Sequence, residues 1–196
     1  MTEPQAVVDV GSVPARVIGV ALAVAEPFGS QLQECRERFG DPMARLIPTH
    51  VTLLAPITVD ESLLPEIEEH LRRVAEAERP FEIELRGTGT FRPVSPVVFV
   101  QLARGISGCE RLERGIRSGP LARELAFPYH PHVTVAHDVP GAALDQAYAE
   151  LSDYWAEFPA WGFSLYEHVG GVWRPQRDFP LGQELPGPVL ATPSGD

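Results

Sequence analysis

IPTHVTLL, residues Ile47–Leu54, and YHPHVTVA, residues Tyr129–Ala136, share the core His-Val-Thr. A proline stands one or two places before each histidine. The residues around both triplets are apolar and β-branched, so each reads as a strand: His50–Leu54, bounded by Pro48 and Pro56, and His132–Ala136. In a strand, residues i and i+2 share a face. His50 and Thr52 therefore project together while Val51 turns to the core, and His132 and Thr134 do the same about Val133.

The flanking elements follow from periodicity. Arg16–Val24 is an apolar run that reads as a buried strand. Ser30–Phe39 reads as a short helix, with Ser30 as N-cap and Gly40 as its stop. Asp60–Glu78 places Leu63, Leu64, Ile67, Leu71, Val74 and Ala75 at helical spacing, with acids on the other side. Phe81–Leu85 alternates apolar and acidic, the mark of a strand with one wet face. Val97–Leu102 is a further strand, Gly108–Gly119 a helix and Ala142–Tyr154 another helix. Trp161–Leu165 and Val172–Phe179 flank Gly170-Gly171 as a hairpin.

The two halves of the chain repeat this order. His50 and His132 are 82 positions apart, and the strands beginning at Phe81 and Trp161 are 80 apart. Strand, helix, His-Val-Thr strand, helix, strand occurs twice, which is a duplication by pattern. The expected fold is α+β: two lobes related by a pseudo-two-fold, each an antiparallel sheet with helices packed outside, facing a central groove. That domain spans residues 15–182. Residues 1–14 and 183–196 read as flexible tails.

Two histidines and two threonines in one groove suit phosphodiester chemistry. An imidazole titrates near neutrality, so one can take a proton from the attacking water while the other protonates the leaving oxygen. The threonine hydroxyls can donate to non-bridging phosphate oxygens, where charge grows in the transition state. No metal or other cofactor is required. His50 and His132 are thus the candidate acid/base pair, with the roles unassigned, and Thr52 and Thr134 the candidate phosphate-binding residues.

At this point the chain resembles the two-histidine phosphoesterase superfamily, the 2′-5′ RNA ligase-like and cyclic phosphodiesterase-like proteins. Two His-φ-Thr/Ser-φ motifs, with φ apolar, carry the resemblance: His50-Val51-Thr52-Leu53 and His132-Val133-Thr134-Val135. The surroundings RLIPTHVTLLAPI and PYHPHVTVAHD, and the later FSLYEHVGGVWRPQRDFPLG, are similar too. The resemblance covers about residues 15–182. It implies a bilobal fold with the four motif residues lining the groove. It also implies attack on 2′,3′-cyclic phosphates, or on related nucleotide cyclic phosphates or 2′-5′ linkages, to leave a monoester.

Charge narrows the partners. The chain carries 16 basic residues, all arginine, against 27 acidic ones, for a net charge of −11. Extended binding of nucleic acid needs clustered cations. A small nucleotide or a short RNA end is therefore expected as substrate, not a long nucleic acid. No run of about 18 apolar residues suggests a membrane span. The N-terminal stretch lacks the basic and apolar regions of a secretory signal. Cys35 and Cys109 are isolated and read as reduced thiols. The expectation is a monomeric cytoplasmic protein.

Three further residues are candidates for substrate contact, each with a structural alternative. Tyr129 can wall the groove or stack on a base, or be a half-buried core tyrosine. Arg92 sits in a Gly-Thr-Phe-Arg-Pro loop, where binding residues are common, or is solvated. His168, next to the Gly-Gly turn, reaches the groove mouth or lies on the surface. Two other function classes stay open. One is a nucleotide-binding module without catalysis. The other is a metal hydrolase using His130, His132 and His137.

Overall fold

Alternating and β-branched segments form one antiparallel sheet of eight strands. The computed structural model describes residues 14–182, and the expectations for the two tails fall outside them. In chain order the elements are β1 (Ala15–Ala23), α1 (Phe28–Phe39), β2 (His50–Asp60), α2 (Leu64–Ala77), β3 (Phe81–Thr90), β4 (Val97–Arg104) and α3 (Ile106–Ile116). They continue with β5 (His132–His137), α4 (Gly141–Glu150), β6 (Trp155–Ala160), β7 (Gly162–Val169) and β8 (Val172–Pro180). The strand order is β6-β3-β4-β5-β2-β1-β7-β8.

That order is symmetric about the β5–β2 junction. Exchanging β2 with β5, β1 with β4, β3 with β7 and β6 with β8 leaves it unchanged. The duplication is therefore visible in the sheet, with one feature that the linear pattern does not reveal. The equivalent strands β3 and β7 cross over: β3 pairs with β4, and β7 pairs with β1. The helices cross as well, α1 packing on β5 and α3 on β2. Each lobe is thus assembled from both halves of the chain.

Several expected boundaries move, for identifiable reasons. The first helix begins at Phe28 with Pro27 at its N-cap, so Ser30 lies within its first turn. Gly40 ends it with a left-handed φ of 82°. β2 continues past Pro56 to Asp60, because Pro56 falls where the β1–β2 register shifts and no ladder bond is demanded of it. The next helix starts through a 3₁₀ turn, Glu61–Leu63, where the Asp60 carboxylate accepts from the Ser62 N–H at 2.8 Å. α4 stops at Glu150, and the last four residues of the expected helix, to Tyr154, form a turn that leads into β6. Ala156, Phe158 and Ala160 of β6 are buried in alternation. β6 and β8 are the two sheet edges, and they carry Pro159 and Pro175, which deny an incoming strand its ladder bonds. The Gly170-Gly171 hairpin forms as expected, both glycines at positive φ.

The core lies between the sheet and its helices. Val51, Val133, Leu71, Leu112 and Ile116 have no exposed surface. Each such side chain contributes about 1.5–3 kcal/mol relative to exposure. This packing holds β2 and β5 at the centre and leaves their opposite face to the groove.

Candidate active site at the junction of the two lobes

The lobes meet at a single bridging pair, Val51 opposite Val133, in the antiparallel β2–β5 ladder. Both valines are fully buried, while the residues on the groove face beside each are half-buried. The register then places His50 opposite Thr134 and Thr52 opposite His132, all four side chains on the groove face. The two histidines occupy one diagonal of this square and the two threonines the other. Diagonal neighbours in such a ladder lie about 7–8 Å apart, room for one tetrahedral phosphate between them.

A matched pair of bulges shapes the square. The β1–β2 register runs from Val20–Leu54 to Ala21–Thr52 and passes over Leu53. The β4–β5 register runs from Val98–Ala136 to Phe99–Thr134 and passes over Val135. Each bulge directly follows the threonine of its motif. Leu53 and Leu54, and likewise Val135 and Ala136, are consecutive buried residues. Bulges bend a strand and re-aim its side chains, and they recur beside active sites.

The histidines share a tautomer. The Nδ1–H of His50 donates to the Pro48 carbonyl at 2.7 Å, and that of His132 to the His130 carbonyl at 2.7 Å. A neutral ring fixed this way keeps the lone pair on Nε2. Burial pushes the His50 imidazole down to about 4, and the nearby charges of Arg36 and His132 add to the effect. Burial also lowers His132, helped by His130. Phe91 meets the His132 ring edge-on at 4.9 Å and Phe99 lies 5.0 Å away, which removes water from that ring.

The sequence matches the 2′-5′ RNA ligase superfamily over residues 24–171. The chain belongs to this superfamily. Relatives carrying the name "Putative phosphoesterase" include one from Halalkalibacterium halodurans, 30% identical over 85% of this chain and 98% of its own. Another, from Geobacillus kaustophilus, is 31% identical over 75% of this chain and 86% of its own. Among solved structures, Escherichia coli LigT complexed with 3′-AMP covers 87% of this chain and all of its own, with a TM-score of 0.62 and 20% identity. TT0787 of Thermus thermophilus covers the same shares at a TM-score of 0.58 and 24% identity. Those two show the fold, and it is that of the superfamily.

Within this superfamily fold, the groove continues on both sides of the square. Beside His132 a cavity of about 470 Å³ opens under the segment that joins α3 to β5. Beside His50 and Thr134 a cavity of about 450 Å³ opens between β1, β5 and the β7–β8 hairpin. Thr52 and Leu54 line both and so stand between them.

The three further candidates have different fates. Tyr129 lines the first cavity, with its hydroxyl donated to the Thr52 carbonyl at 2.9 Å. Its ring is a wall, and its hydroxyl holds the segment before β5 against β2. Arg92 lines neither cavity. Its guanidinium is held by Asp145 of α4 at 2.7 Å. His168 is exposed and packs at 5.1 Å against Trp173, so it reaches the groove through a neighbour.

Sequence reasoning passed over four residues that shape the site. Phe91 and Phe99 flank His132, and Phe99 lies where any Cβ on Gly89 would be, 2.5 Å from its ring. Trp173 and the buried Arg36 line the second cavity. Arg36 pairs with Asp41 at 3.2 Å, with almost no exposed surface on either side chain, and donates to the Ile47 carbonyl at 3.1 Å. This pins the segment that delivers His50. The helical spacing of Arg36 with Leu32 and Phe39 was the available signal for its burial.

The histidines of the metal-hydrolase alternative are not gathered. His130 stacks on His132 with ring centroids 6.1 Å apart. His137 lies five residues along β5, about 16 Å at strand rise, and pairs with Asp138 at 3.5 Å. Among the described residues no group of three His, Cys, Asp or Glu side chains is arranged to hold a metal ion. No described helix is long and apolar enough to cross a membrane.

Proposed function

We propose that the chain is a metal-independent phosphoesterase that hydrolyses 2′,3′-cyclic phosphates or related nucleotide phosphodiesters. The carrying observation is the diagonal pair His50 and His132, each fixed in the same tautomer by a backbone carbonyl two residues upstream. Both rings thereby keep the Nε2 lone pair for a phosphate held by Thr52 and Thr134. The phosphoesterase names of the relatives support this reading. So does the occurrence of 3′-AMP in the LigT complex.

The environments of the two rings suggest the division of labour. Arg36 puts a fixed positive charge on the His50 side, and His50 is the ring driven to about 4. His50 is therefore the base. Its Nε2 takes a proton from the water whose oxygen attacks phosphorus. His132, protonated on Nε2 when the substrate anion arrives, gives its proton to the leaving oxygen as that P–O bond breaks. The products are a phosphomonoester and a free hydroxyl. Thr52 and Thr134 donate to the non-bridging oxygens as their charge grows, an effect of roughly 3 kcal/mol per donor in comparable sites.

The test is hydrolysis of the four 2′,3′-cyclic nucleotides in EDTA, with a His50→Ala/His132→Ala double variant as control. Turnover by the wild type alone supports the proposal. Equal turnover by the double variant overturns it.

A further inference from the structure

The duplication offers an internal comparison. α1 packs on β5 and α3 on β2, so the two helices are counterparts. Their buried faces match. Leu32, Arg36 and Phe39 in α1 have the spacing of Cys109, Glu113 and Ile116 in α3, and the third residue ends the helix in both. Arg36 and Glu113 therefore hold equivalent places, and both are buried. Each closes an ion pair with a residue just downstream, Arg36 with Asp41 and Glu113 with Arg117. In each pair the arginine also donates to a carbonyl of the following segment, Arg36 to Ile47 at 3.1 Å and Arg117 to Arg123 at 2.9 Å. The frame is the same and the polarity is reversed. Each pair lines the cavity on its own side of the square. The helix contributes a cation beside His50 and a carboxylate beside His132.

Arg36 is not used up by its partners. Nε donates to Asp41 at 3.2 Å, and Nη1 to Gln33 at 3.4 Å and to Ile47. Nη2 has no acceptor among the described residues, and it is not sealed from the surface. Only 4% of the side chain is exposed, so the cavity is what this nitrogen meets. Asp41 turns nothing toward it. Its side chain has no exposed surface, and its oxygens accept from Arg36 and from the Met43 N–H at 2.8 Å. The pair thus presents its positive end to the cavity. The other carboxylate there, Asp138, lies at the exposed rim beside His137. A charged donor left without an acceptor is unfavourable, and an anionic oxygen satisfies it with a charge-assisted hydrogen bond. Glu113, at the matching place in the other cavity, offers only acceptors.

Resting on the phosphoesterase reading above, we infer that the cavity beside His50 binds a second phosphate of the substrate on Arg36 Nη2. The substrate class is then a phosphodiester whose nucleoside carries a further monoester phosphate, and hydrolysis leaves a nucleoside bisphosphate. The histidines and threonines of the square are pseudo-symmetric. Arg36 is not, so it decides which way the substrate lies.

Calorimetric titration compares adenosine 2′- and 3′-monophosphate with the 2′,5′- and 3′,5′-bisphosphates. The proteins are the wild type and Arg36→Met/Asp41→Leu, with thermal melts to show that the variant folds. Arg36→Lys keeps a charge for Asp41 but withdraws the second nitrogen, and it serves if the double variant does not fold. The wild type should bind one bisphosphate at least about tenfold more tightly than its monophosphate, the effect of one hydrogen bond between charged groups. That ratio should fall to about one in the variant. The influence of Arg36 on His50 is common to both ligands and cancels in the ratio. Equal affinity for mono- and bisphosphates in the wild type overturns the inference. An undiminished ratio in the variant also overturns it, because the second phosphate then lies elsewhere. So does binding of none of the four. The phosphoesterase reading is judged apart, by turnover of 2′,3′-cyclic AMP in EDTA. Turnover there without a preference for a bisphosphate leaves that reading standing.

Discussion

His50 lies between Ala23 of its own lobe and Thr134, a residue of the other motif. The register through Val51 and Val133 imposes this, and the same register sets His132 opposite Thr52. In the proposed mechanism a phosphate at the centre of the square therefore meets one acid/base group and one hydroxyl from each strand. Each motif supplies one half of the square, and only the β2–β5 register closes it.

In the proposed mechanism, replacement of either histidine removes one proton-transfer step. His50→Ala and His132→Ala should each lower kcat at least about a hundredfold, the low end for acid–base catalysis. Steady-state kinetics on a cyclic nucleotide checks this, and a near-normal rate in either variant would sink the mechanism.

The lowered imidazoles fix the direction of the pH profile. In the free enzyme His50 must be neutral, so kcat/KM should fall as pH drops through about 4. His132 must carry a proton, and its value lies below the ordinary 6.5, so kcat/KM should also fall as pH rises through that range. The kcat/KM maximum is expected in mild acid. The profile of kcat should sit at higher pH, because a bound phosphate anion favours the imidazolium form of both rings. A kcat/KM maximum above pH 7, with chemistry rate-limiting, would contradict the assignment.

Tyr129→Phe deletes the hydroxyl that bonds the Thr52 carbonyl and keeps the cavity wall. The expected cost is about 0.5–1.5 kcal/mol of stability. Urea denaturation measures that. A fall in kcat of less than tenfold should accompany it, since no proton transfer is lost. A loss as large as that of a histidine variant would show that the phenol itself takes part in the reaction.

The Arg36–Asp41 pair is buried and stands behind His50. Arg36→Met strands the Asp41 carboxylate and should cost about 3–5 kcal/mol, whereas Arg36→Met with Asp41→Leu should cost clearly less. The double variant also removes the positive charge near His50. The acid limb of its kcat/KM profile should move to higher pH. Equal destabilisation by the single and double variants would show that the bond from Arg36 to the Ile47 carbonyl outweighs the ion pair.

Much of this architecture was legible in the residues because it is local. His-x-Thr in a strand puts both polar side chains on one face whatever surrounds it. The strong helical spacing around Ile67 and Leu71, and the Gly170-Gly171 turn, are of the same kind. β6 was lost because it is six residues long, carries Pro159 and follows a helix. Its alternation of Ala156, Phe158 and Ala160 is too short to overrule the preceding pattern. Arg92 was singled out because it sits in a loop between strands, but loop position does not encode the Asp145 partner that holds it 53 residues away in sequence.

By itself the sequence determined two amphipathic strands carrying His and Thr at the same repeat position, and the acidic balance of the chain. Both rest on backbone periodicity and summed charge, which need no knowledge of distant contacts. Tertiary structure alone decided that β3 joins the strands of the second half, that β7 and β8 join those of the first, and that α1 and α3 pack on β5 and β2. It also decided that one Val51–Val133 bridge squares the four groups, and that Phe91, Phe99, Trp173 and Arg36 surround them. Those outcomes depend on strand register and long-range packing, where a shift of one residue would turn His50 and Thr52 into the core.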